Sequence, residues 1–171
     1  MRTRQRGSGG DAPRTPWDEI APGLWMGGHV RSDAAGGLRP VVVDREFDLV
    51  VSLASRPGHG PHRAVEHLLA EIPDGPLSAE EIERVQSAAR TAACAVRDGR
   101  TVLVRCHHGL NRSGLVVAQA LIESAGLDAR SAVALVRERR SPRALNNETF
   151  VHYLTTGLDV ASLLTGLESP C

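Results

Sequence analysis

The chain has 171 residues, about one ordinary domain, and 42% of them are hydrophobic, a share typical of globular proteins. Its 20 basic residues balance its 20 acidic residues, which excludes a strong overall attraction to nucleic acid or to an anionic membrane. Three cysteines make no disulfide framework, and no apolar run resembles a membrane helix or a secretory leader, so we predict a cytoplasmic protein. All the basic residues are arginine, a bias that GC-rich codons produce and that favours a bacterial origin.

The N-terminal half of the sequence predicts short strands that follow a tail. Residues 1–16 combine arginine with glycine, serine and proline, cannot bury apolar surface, and are predicted to be disordered. One domain is predicted over 17–165, and residues 166–171 form a second short tail. Residues 55–63 are a turn-rich loop, and residues 64–72 fit either a short helix or a strand. Runs of β-branched and apolar residues predict strands at 20–26, with a turn at Pro22-Gly23, at 40–44 and at 47–53.

The C-terminal half predicts helices around one buried strand. Ser78 and Glu81 form a capping box, apolar residues follow at helical spacing, and Gly99 ends this first helix. Residues 101–105 predict a short buried strand. Three further helices are predicted at 113–125, which Gly126 caps, at 129–140, which begins after Asp128, and at 147–164, where Asn147 is the expected cap. Helices and strands in this order indicate an α/β layered domain.

The segment between the predicted strand and the next helix carries the residues of a nucleophilic phosphate site. A helix N-terminus and a nearby arginine favour the thiolate of a cysteine, so Cys106 is the predicted nucleophile. Arg112 offers a planar fork for two phosphoryl oxygens, and Gly109 permits the turn that a nest of backbone amides requires. The Ser113 hydroxyl can donate a hydrogen bond to the departing thiolate in the second step. The predicted phosphate-binding residues are His107, His108, Gly109, Leu110, Asn111 and Arg112.

The sequence VLVRCHHGLNRSG resembles the C-x5-R-[ST] signature of the protein tyrosine phosphatase superfamily. It is most similar to the dual-specificity branch, usually written HC-x2-G-x2-R-[ST]-G. The IAPGLWMGG opening, the IPD segment at 72–74 and an N-x-x-F-x-x-x-L ending at Asn147, Phe150 and Leu154 follow in the expected order. The resemblance covers about residues 17–155. It implies a central, mixed, largely parallel sheet flanked by helices, and hydrolysis through a cysteinyl-phosphate intermediate without a cofactor.

One residue departs from the signature. The family usually has histidine immediately before the cysteine, where this chain has Arg105. That histidine is thought to order the loop and to tune the thiol. We expect the charge of Arg105 to serve both purposes.

The leaving oxygen of a phosphate ester needs a proton, and Asp74 is the predicted donor. By spacing alone, Asp74 with Gly75 fits a simple turn equally well. The resemblance implies that the general-acid loop of the family occupies this place, where a mobile loop can close over substrate. Asp44 and Asp48 are rival candidates, but they lie in or beside predicted strands, so we expect them to be structural.

Three other groups of cysteine, histidine and arginine residues are predicted to lie outside the catalytic chemistry. Cys94 is predicted to lie at the opposite end of the domain from Cys106 and to be structural. The histidines at 107 and 108, and those at 59, 62 and 67, match no common ligand spacing, so we predict no metal site. A solvated helix end is favoured over a rim for anionic substrates for the cluster of Arg137, Arg139, Arg140 and Arg143.

The signature indicates the reaction class more sharply than the substrate. The first hypothesis is a protein phosphatase that acts on phosphotyrosine and on phosphoserine or phosphothreonine. The alternative is a polynucleotide 5′-phosphatase, since His108, Gly109, Asn111 and Arg112 fit the C-x-H-G-x-N-R-[ST]-G form of those enzymes. A non-catalytic phosphate-binding module is the third. The neutral charge and the presence of Asp74 favour the first.

Overall fold

The computed structural model describes residues 12–168. Within these residues the strands are β1 Trp17–Ala21, β2 Leu24–Gly28, β3 Val30–Ser32, β4 Leu38–Pro40, β5 Leu49–Ser52, β6 Glu66–Leu69 and β7 Val102–Cys106. The helices of the same part are α1 Ala79–Arg97, α2 Arg112–Ala125, α3 Ala129–Arg139, α4 Glu148–Thr156 and α5 Leu158–Glu168. Among them, no helix combines the length and the apolar character that crossing a membrane requires.

Five of these strands form the central sheet, in the order β1-β2-β7-β5-β6. β7 is parallel to both β2 and β5, and β5 is parallel to β6, whereas β1 is antiparallel to β2. The expected mixed, largely parallel sheet is therefore confirmed. Every residue of β7 is buried, as a central parallel strand requires. Cys106 ends this strand, at the carboxyl end of the parallel strands, where ligands bind in open α/β folds.

The two faces of the sheet are covered by different parts of the chain. Alternate residues such as Leu49, Val51 and Val104 belong to a large core shared with the helices. The residues between them, such as Val50 and Leu103, join a second cluster with Val43 and Phe47, and the ring of Trp17 packs edge-on to Phe47 at 5.3 Å. Residues 41–48 and 53–65, which flank β5, form a covering segment that closes the face that none of the described helices covers.

The helix caps follow the local sequence. The capping box predicted at Ser78 and Glu81 is present, and Asp128 and Asn147 each accept a backbone N–H at the start of α3 and α4. Gly126 adopts the left-handed conformation that ends α2. The last predicted helix, over 147–164, is wrong as one element, because the chain turns at Gly157 with a φ of 95° and divides it into α4 and α5.

Three predictions for the N-terminal half change in the structure. The turn predicted at Pro22-Gly23 is confirmed, with a φ of 79° at Gly23, but the predicted strand at 20–26 is two antiparallel strands on either side of it. The strand predicted at 40–44 is wrong: β4 ends at Pro40, and the following valines leave the sheet to cover its open face. The ambiguous segment 64–72 contains β6, which reaches an edge of the sheet.

Packed contacts begin upstream of Trp17. Ala12 is buried, and Ser32 donates from Oγ to the Ala12 carbonyl at 2.6 Å and from its backbone to the Pro13 carbonyl at 2.9 Å. Residues 1–11 of the predicted N-terminal tail, and residues 169–171 of the predicted C-terminal tail, lie outside the described residues.

Candidate active site

The predicted phosphate loop connects the central strand to α2. Cys106 is the last residue of β7, and Arg112 is the first residue of α2. Gly109 has a φ of 70°, and a Cβ atom there would lie 2.5 Å from the Gly27 carbonyl carbon. Gly28 is equally constrained, since a Cβ atom there would meet the His108 backbone at 2.7 Å. The loop is therefore pressed against the end of β2, and only glycine fits at these two contacts.

Cys106 and Ser113 lie together beneath this loop. Both are buried, and the Cys106 Sγ and the Ser113 Oγ are 3.3 Å apart. Ser113 belongs to the first turn of α2, so the sulfur lies where the helix dipole favours negative charge. The hydroxyl is within reach to donate a hydrogen bond to a thiolate.

Arg112 lines a pocket of about 170 Å³ together with Cys106. Its Nη1 donates to the Ile72 carbonyl at 3.4 Å, while its Nε is buried without a hydrogen-bond partner among the described residues. Buried guanidinium N–H groups normally have a partner. A bound oxyanion would supply one here, in the geometry that a planar guanidinium recognises.

Asp74 is the carboxylate among the residues that line this pocket. It accepts hydrogen bonds from the Asn111 Nδ2 at 3.2 Å and from the Asn147 Nδ2 at 2.9 Å. Asn111 also donates to the Asn146 Oδ1 at 2.8 Å and accepts from the Asn147 backbone at 3.0 Å. Two amide side chains thus hold Asp74 at the mouth of the Cys106 pocket, and Asn146 supports one of them.

The rival carboxylates lie elsewhere. Asp48 accepts from the backbone and the hydroxyl of Thr101, at the opposite end of β7 from Cys106. Asp44 is exposed beside the segment that covers the other face of the sheet. Neither of them lines the pocket that contains the thiol.

The two loop histidines face different surroundings. His108 lines the catalytic pocket, whereas His107 accepts at Nδ1 from Arg56 at 3.0 Å. Burial and the neighbouring His108 lower the pKa of His107. In the part of the chain that the structure describes, no group of three His, Cys, Asp or Glu side chains is arranged to hold a metal ion.

Arg105 does not reach the loop it was expected to order. Because side chains alternate along a strand, it projects from the face of β7 opposite to that of Cys106. Its Nε donates to the Ser52 Oγ at 2.9 Å, and its terminal nitrogens donate to the carbonyls of His59 and Gly60. Arg105 therefore orders the 59–60 segment rather than the phosphate loop.

Two residues that the sequence did not single out hold the phosphate loop instead. The His29 backbone donates to the carbonyls of Cys106 at 2.9 Å and His107 at 2.8 Å. Its ring is buried and donates from Nε2 to the Ala54 carbonyl at 2.8 Å. Burial lowers the pKa of His29 to about 4, so the ring is neutral at pH 7. The one signal in the sequence that could have indicated this contact is the Gly-Gly-His run at the end of β2.

Arg140 is the second residue that holds the phosphate loop. It is buried, and it donates from Nε to the Gly109 carbonyl at 3.1 Å and from Nη1 to the Asp18 Oδ2 at 2.7 Å. Burial lowers the pKa of Arg140, and its bond to Asp18 opposes that shift. The predicted solvated helix end suits the exposed side chains of Arg137, Arg139 and Arg143 but is wrong for Arg140. No local pattern separated it from its neighbours, because its partners are distant in sequence.

Cys94 is placed as expected but is not a core residue. It lies near the end of α1 that leads into the start of β7, away from Cys106. Its side chain is exposed, and Arg97 donates to its Sγ at 3.3 Å. The structural role predicted for Cys94 therefore gains no support from burial, and its hydrogen-bond partner is Arg97.

A thiol at the end of a central parallel strand, an arginine at the following helix N-terminus and a carboxylate over the pocket define a cysteine-dependent phosphatase. Residues 44–157 match the family described as dual specificity phosphatase, catalytic domain. The chain belongs to that family, and the resemblance seen in the sequence is confirmed.

The chain is also similar to individual proteins, in sequence over a short segment and in fold over most of its length. The chain is 40% identical over 55 residues to the protein tyrosine phosphatase PRL-1 of Leishmania major, a match that covers 32% of this chain and 30% of that protein. Human DUSP28 superimposes with a TM-score of 0.67 at 23% identity, over 92% of this chain and 99% of that one. Tk-PTP in its active form superimposes with a TM-score of 0.61 at 28% identity, over 81% and 93%.

Proposed function

We propose that this protein hydrolyses phosphotyrosine, and also phosphoserine and phosphothreonine, in phosphorylated proteins. The observation that supports this most directly is the small pocket where Cys106, Arg112 and Asp74 meet. The family is one of dual-specificity phosphatases, and the matched Leishmania major relative is named as a protein tyrosine phosphatase. The reaction needs no metal or other cofactor, because the chain itself supplies the nucleophile, the anion clamp and the acid.

The first step transfers the phosphoryl group to the enzyme. The Cys106 thiolate attacks phosphorus, the S–P bond forms, and the P–O bond to the substrate breaks in line. Asp74, as the protonated acid, gives its proton to the departing oxygen. The loop amides and the free Nε of Arg112 hold the non-bridging oxygens, which carry the charge of the transition state.

The second step releases phosphate. The Asp74 carboxylate takes a proton from water, the water oxygen attacks phosphorus, and the P–S bond breaks. Ser113 donates a hydrogen bond to the departing thiolate from 3.3 Å. Phosphate then leaves, and the enzyme returns to its starting protonation state with a thiolate and a protonated Asp74.

The alternative substrate is a polynucleotide 5′-phosphate. The observation that favours it is the loop itself, in which His108 and Asn111 both line the pocket in the order found in polynucleotide 5′-phosphatases. We rank it second because a polyphosphate leaving group needs little protonation, whereas Asp74 is held over the pocket by two amides. A non-catalytic phosphate-binding module ranks third, because every side chain of the motif is present.

Turnover measurements distinguish these possibilities. A phosphotyrosine peptide, a phosphothreonine peptide and a 5′-triphosphate RNA are each offered to the wild type and to Cys106→Ser. Our proposal expects Cys106-dependent release of phosphate from the peptides at a higher kcat/KM than from RNA. A higher kcat/KM for RNA would select the alternative, and release from none of them would select the binding module.

The cell location and the biological origin of the protein are also proposals. We propose a cytoplasmic bacterial enzyme, supported by the sparse cysteines and the exclusive use of arginine as the basic residue. A catalytic thiol also suits a reducing compartment. Fractionation of the source cells tests the location, which an extracellular or membrane-bound pool of the protein would contradict.

A further inference from the structure

A second cleft lies on the other side of β7 from the catalytic pocket. Its volume is about 580 Å³, against about 170 Å³ for the pocket that holds Cys106. Its walls are the ends of β5 and β7 and the segment that covers the open face of the sheet. The polar side chains of its lining are those of Asp44, Ser52, Ser55, Arg56, His62, His67 and Arg105.

Arg105 brings a buried positive charge to this cleft. Its side chain is almost fully buried, and the hydrogen bonds of its guanidinium go to a serine hydroxyl and two backbone carbonyls, all of them neutral. None of the ion pairs formed within residues 12–168 includes it. Burial lowers the pKa of Arg105 to about 10, which leaves it charged at pH 7. A buried charge without a counter-ion is costly, and an anion in the cleft would offset that cost.

Arg56 adds a second cation and joins the cleft to the catalytic loop. It is exposed, it lines the cleft, and its Nη1 donates to the His107 Nδ1 at 3.0 Å. Asp44 is the carboxylate in the lining, and its exposed side chain offsets only part of the two arginine charges. His67 adds no charge at pH 7, because burial, and then Arg105, lower its pKa.

We propose that this cleft binds a second phosphoryl group of the substrate while the first one occupies the Cys106 pocket. The proposal rests on the proposed function, because it requires a phosphorylated protein as substrate. Two guanidinium groups match the charge of a phosphoryl dianion: the exposed Arg56 can donate to its oxygens, whereas Arg105, whose nitrogens donate within the protein, contributes its buried charge. Arg56 lines the cleft and also donates to His107 of the phosphate loop, so the cleft adjoins the catalytic site. The family histidine that Arg105 replaces is uncharged near pH 7 and would lack this binding charge.

Binding to Cys106→Ser, which cannot turn over, tests the proposal without relying on catalysis. The probes are peptides of one sequence that carry phosphotyrosine alone, or phosphotyrosine with phosphothreonine one to three residues away on either side. Calorimetric titration should show the best doubly phosphorylated peptide binding about tenfold more tightly, the gain expected from one charge-assisted hydrogen bond. Arg56→Gln and Arg105→Met, each combined with Cys106→Ser, should reduce that preference to about twofold or less. Arg90→Gln, at an exposed arginine on α1, is the matched control and should keep the preference.

The outcomes separate the cleft from the proposed function. Equal affinity for singly and doubly phosphorylated peptides, or a preference that survives both arginine substitutions, would overturn the cleft proposal. If Arg105→Met does not fold, Arg56→Gln alone decides, because its side chain is exposed. If wild-type enzyme hydrolyses neither peptide, the proposed function fails, whereas a preference retained by Cys106→Ser would still support the cleft.

Discussion

Cys106 and Arg105 are neighbours in sequence, yet they serve two different sites. Cys106 faces the helices and lines a small pocket, and residues distant in sequence hold the backbone of the phosphate loop around it. Arg105 faces the residues that cover the other side of the sheet and lines a larger cleft. The comparison shows why the usual histidine can be replaced here: the side chain before the cysteine supports the opposite face of the sheet, while His29 and Arg140 hold the phosphate loop.

The largest expected effect is at the nucleophile. Cys106→Ser should lower kcat by about 10⁴-fold or more, because the serine hydroxyl is a far weaker nucleophile than a thiolate. Vanadate should still bind, since the loop amides and Arg112 remain in place. Steady-state kinetics and calorimetry measure the two properties. Residual turnover of a few per cent would contradict the assignment of Cys106.

Asp74→Asn should have the next largest effect. We expect a loss of about 10²–10⁴-fold for phosphotyrosyl and alkyl esters, and a much smaller loss for esters with acidic leaving groups, which need less protonation. The fall in rate at high pH, where the required acid ionises, should disappear. Asp48→Asn is the control, since Asp48 binds Thr101 far from the pocket. An equal loss for all leaving groups would mean that Asp74 only shapes the loop.

Arg140 tests whether the loop depends on support from outside it. Arg140→Ala removes the bonds to the Gly109 carbonyl and to Asp18, so we expect stability to fall by about 3 kcal/mol, as when a buried ion pair is broken. A displaced loop should also lower kcat by about 10²-fold. Urea unfolding and kinetics measure both. Arg139→Ala, at the exposed neighbour, should change neither, and an unaltered kcat in Arg140→Ala would assign Arg140 to stability alone.

His29 makes the support of the loop sensitive to acid. Its pKa is about 4 in the folded protein and near 6.5 in the unfolded chain, so the unfolded state binds the proton more tightly. The stability that the neutral ring provides is complete above pH 6.5 and is lost as pH falls toward 4, by about 2 kcal/mol between pH 7 and pH 5. Urea unfolding at the two pH values should show this loss, and His29→Gln should lose less over the same range. An identical loss in both proteins would assign the pH dependence to other groups.

The smallest expected effect concerns Arg105 and the thiol. If Arg105 serves the far face of the sheet, Arg105→Met should change the rate at which iodoacetate alkylates Cys106 by no more than about twofold, since the guanidinium points away from the thiol and donates to the His59 and Gly60 carbonyls. Arg112→Met should slow alkylation much more. Alkylation is followed by mass spectrometry across pH 5–8. A slowing by Arg105→Met as large as that by Arg112→Met would restore the thiol-tuning role expected from the sequence.

Local patterns were enough to predict the α/β class, the capped helices and the phosphate loop. The capping box at Ser78, the turn of Gly126 and the chemistry of Cys106, Arg112 and Ser113 depend on residues close together in the chain. Local patterns were misleading where an apolar run packs outside the sheet, as at 40–44. They also failed at Gly157, whose positive φ interrupts an otherwise helical pattern.

Tertiary structure alone decided which distant residues complete the site. Asp74 lies before α1 and Asn147 at the start of α4. They meet Asn111 only because both segments converge on the carboxyl end of the central strand. Arg140 reaches the Gly109 carbonyl and Asp18 across large separations in sequence, and it differs in no local feature from the exposed arginines beside it. Likewise, the strand pattern places Arg105 and Cys106 on opposite faces, but only the packed covering segment makes a cleft at Arg105. Short-range spacing determines the local conformation, whereas burial and charge pairing depend on which segments the folded core brings together.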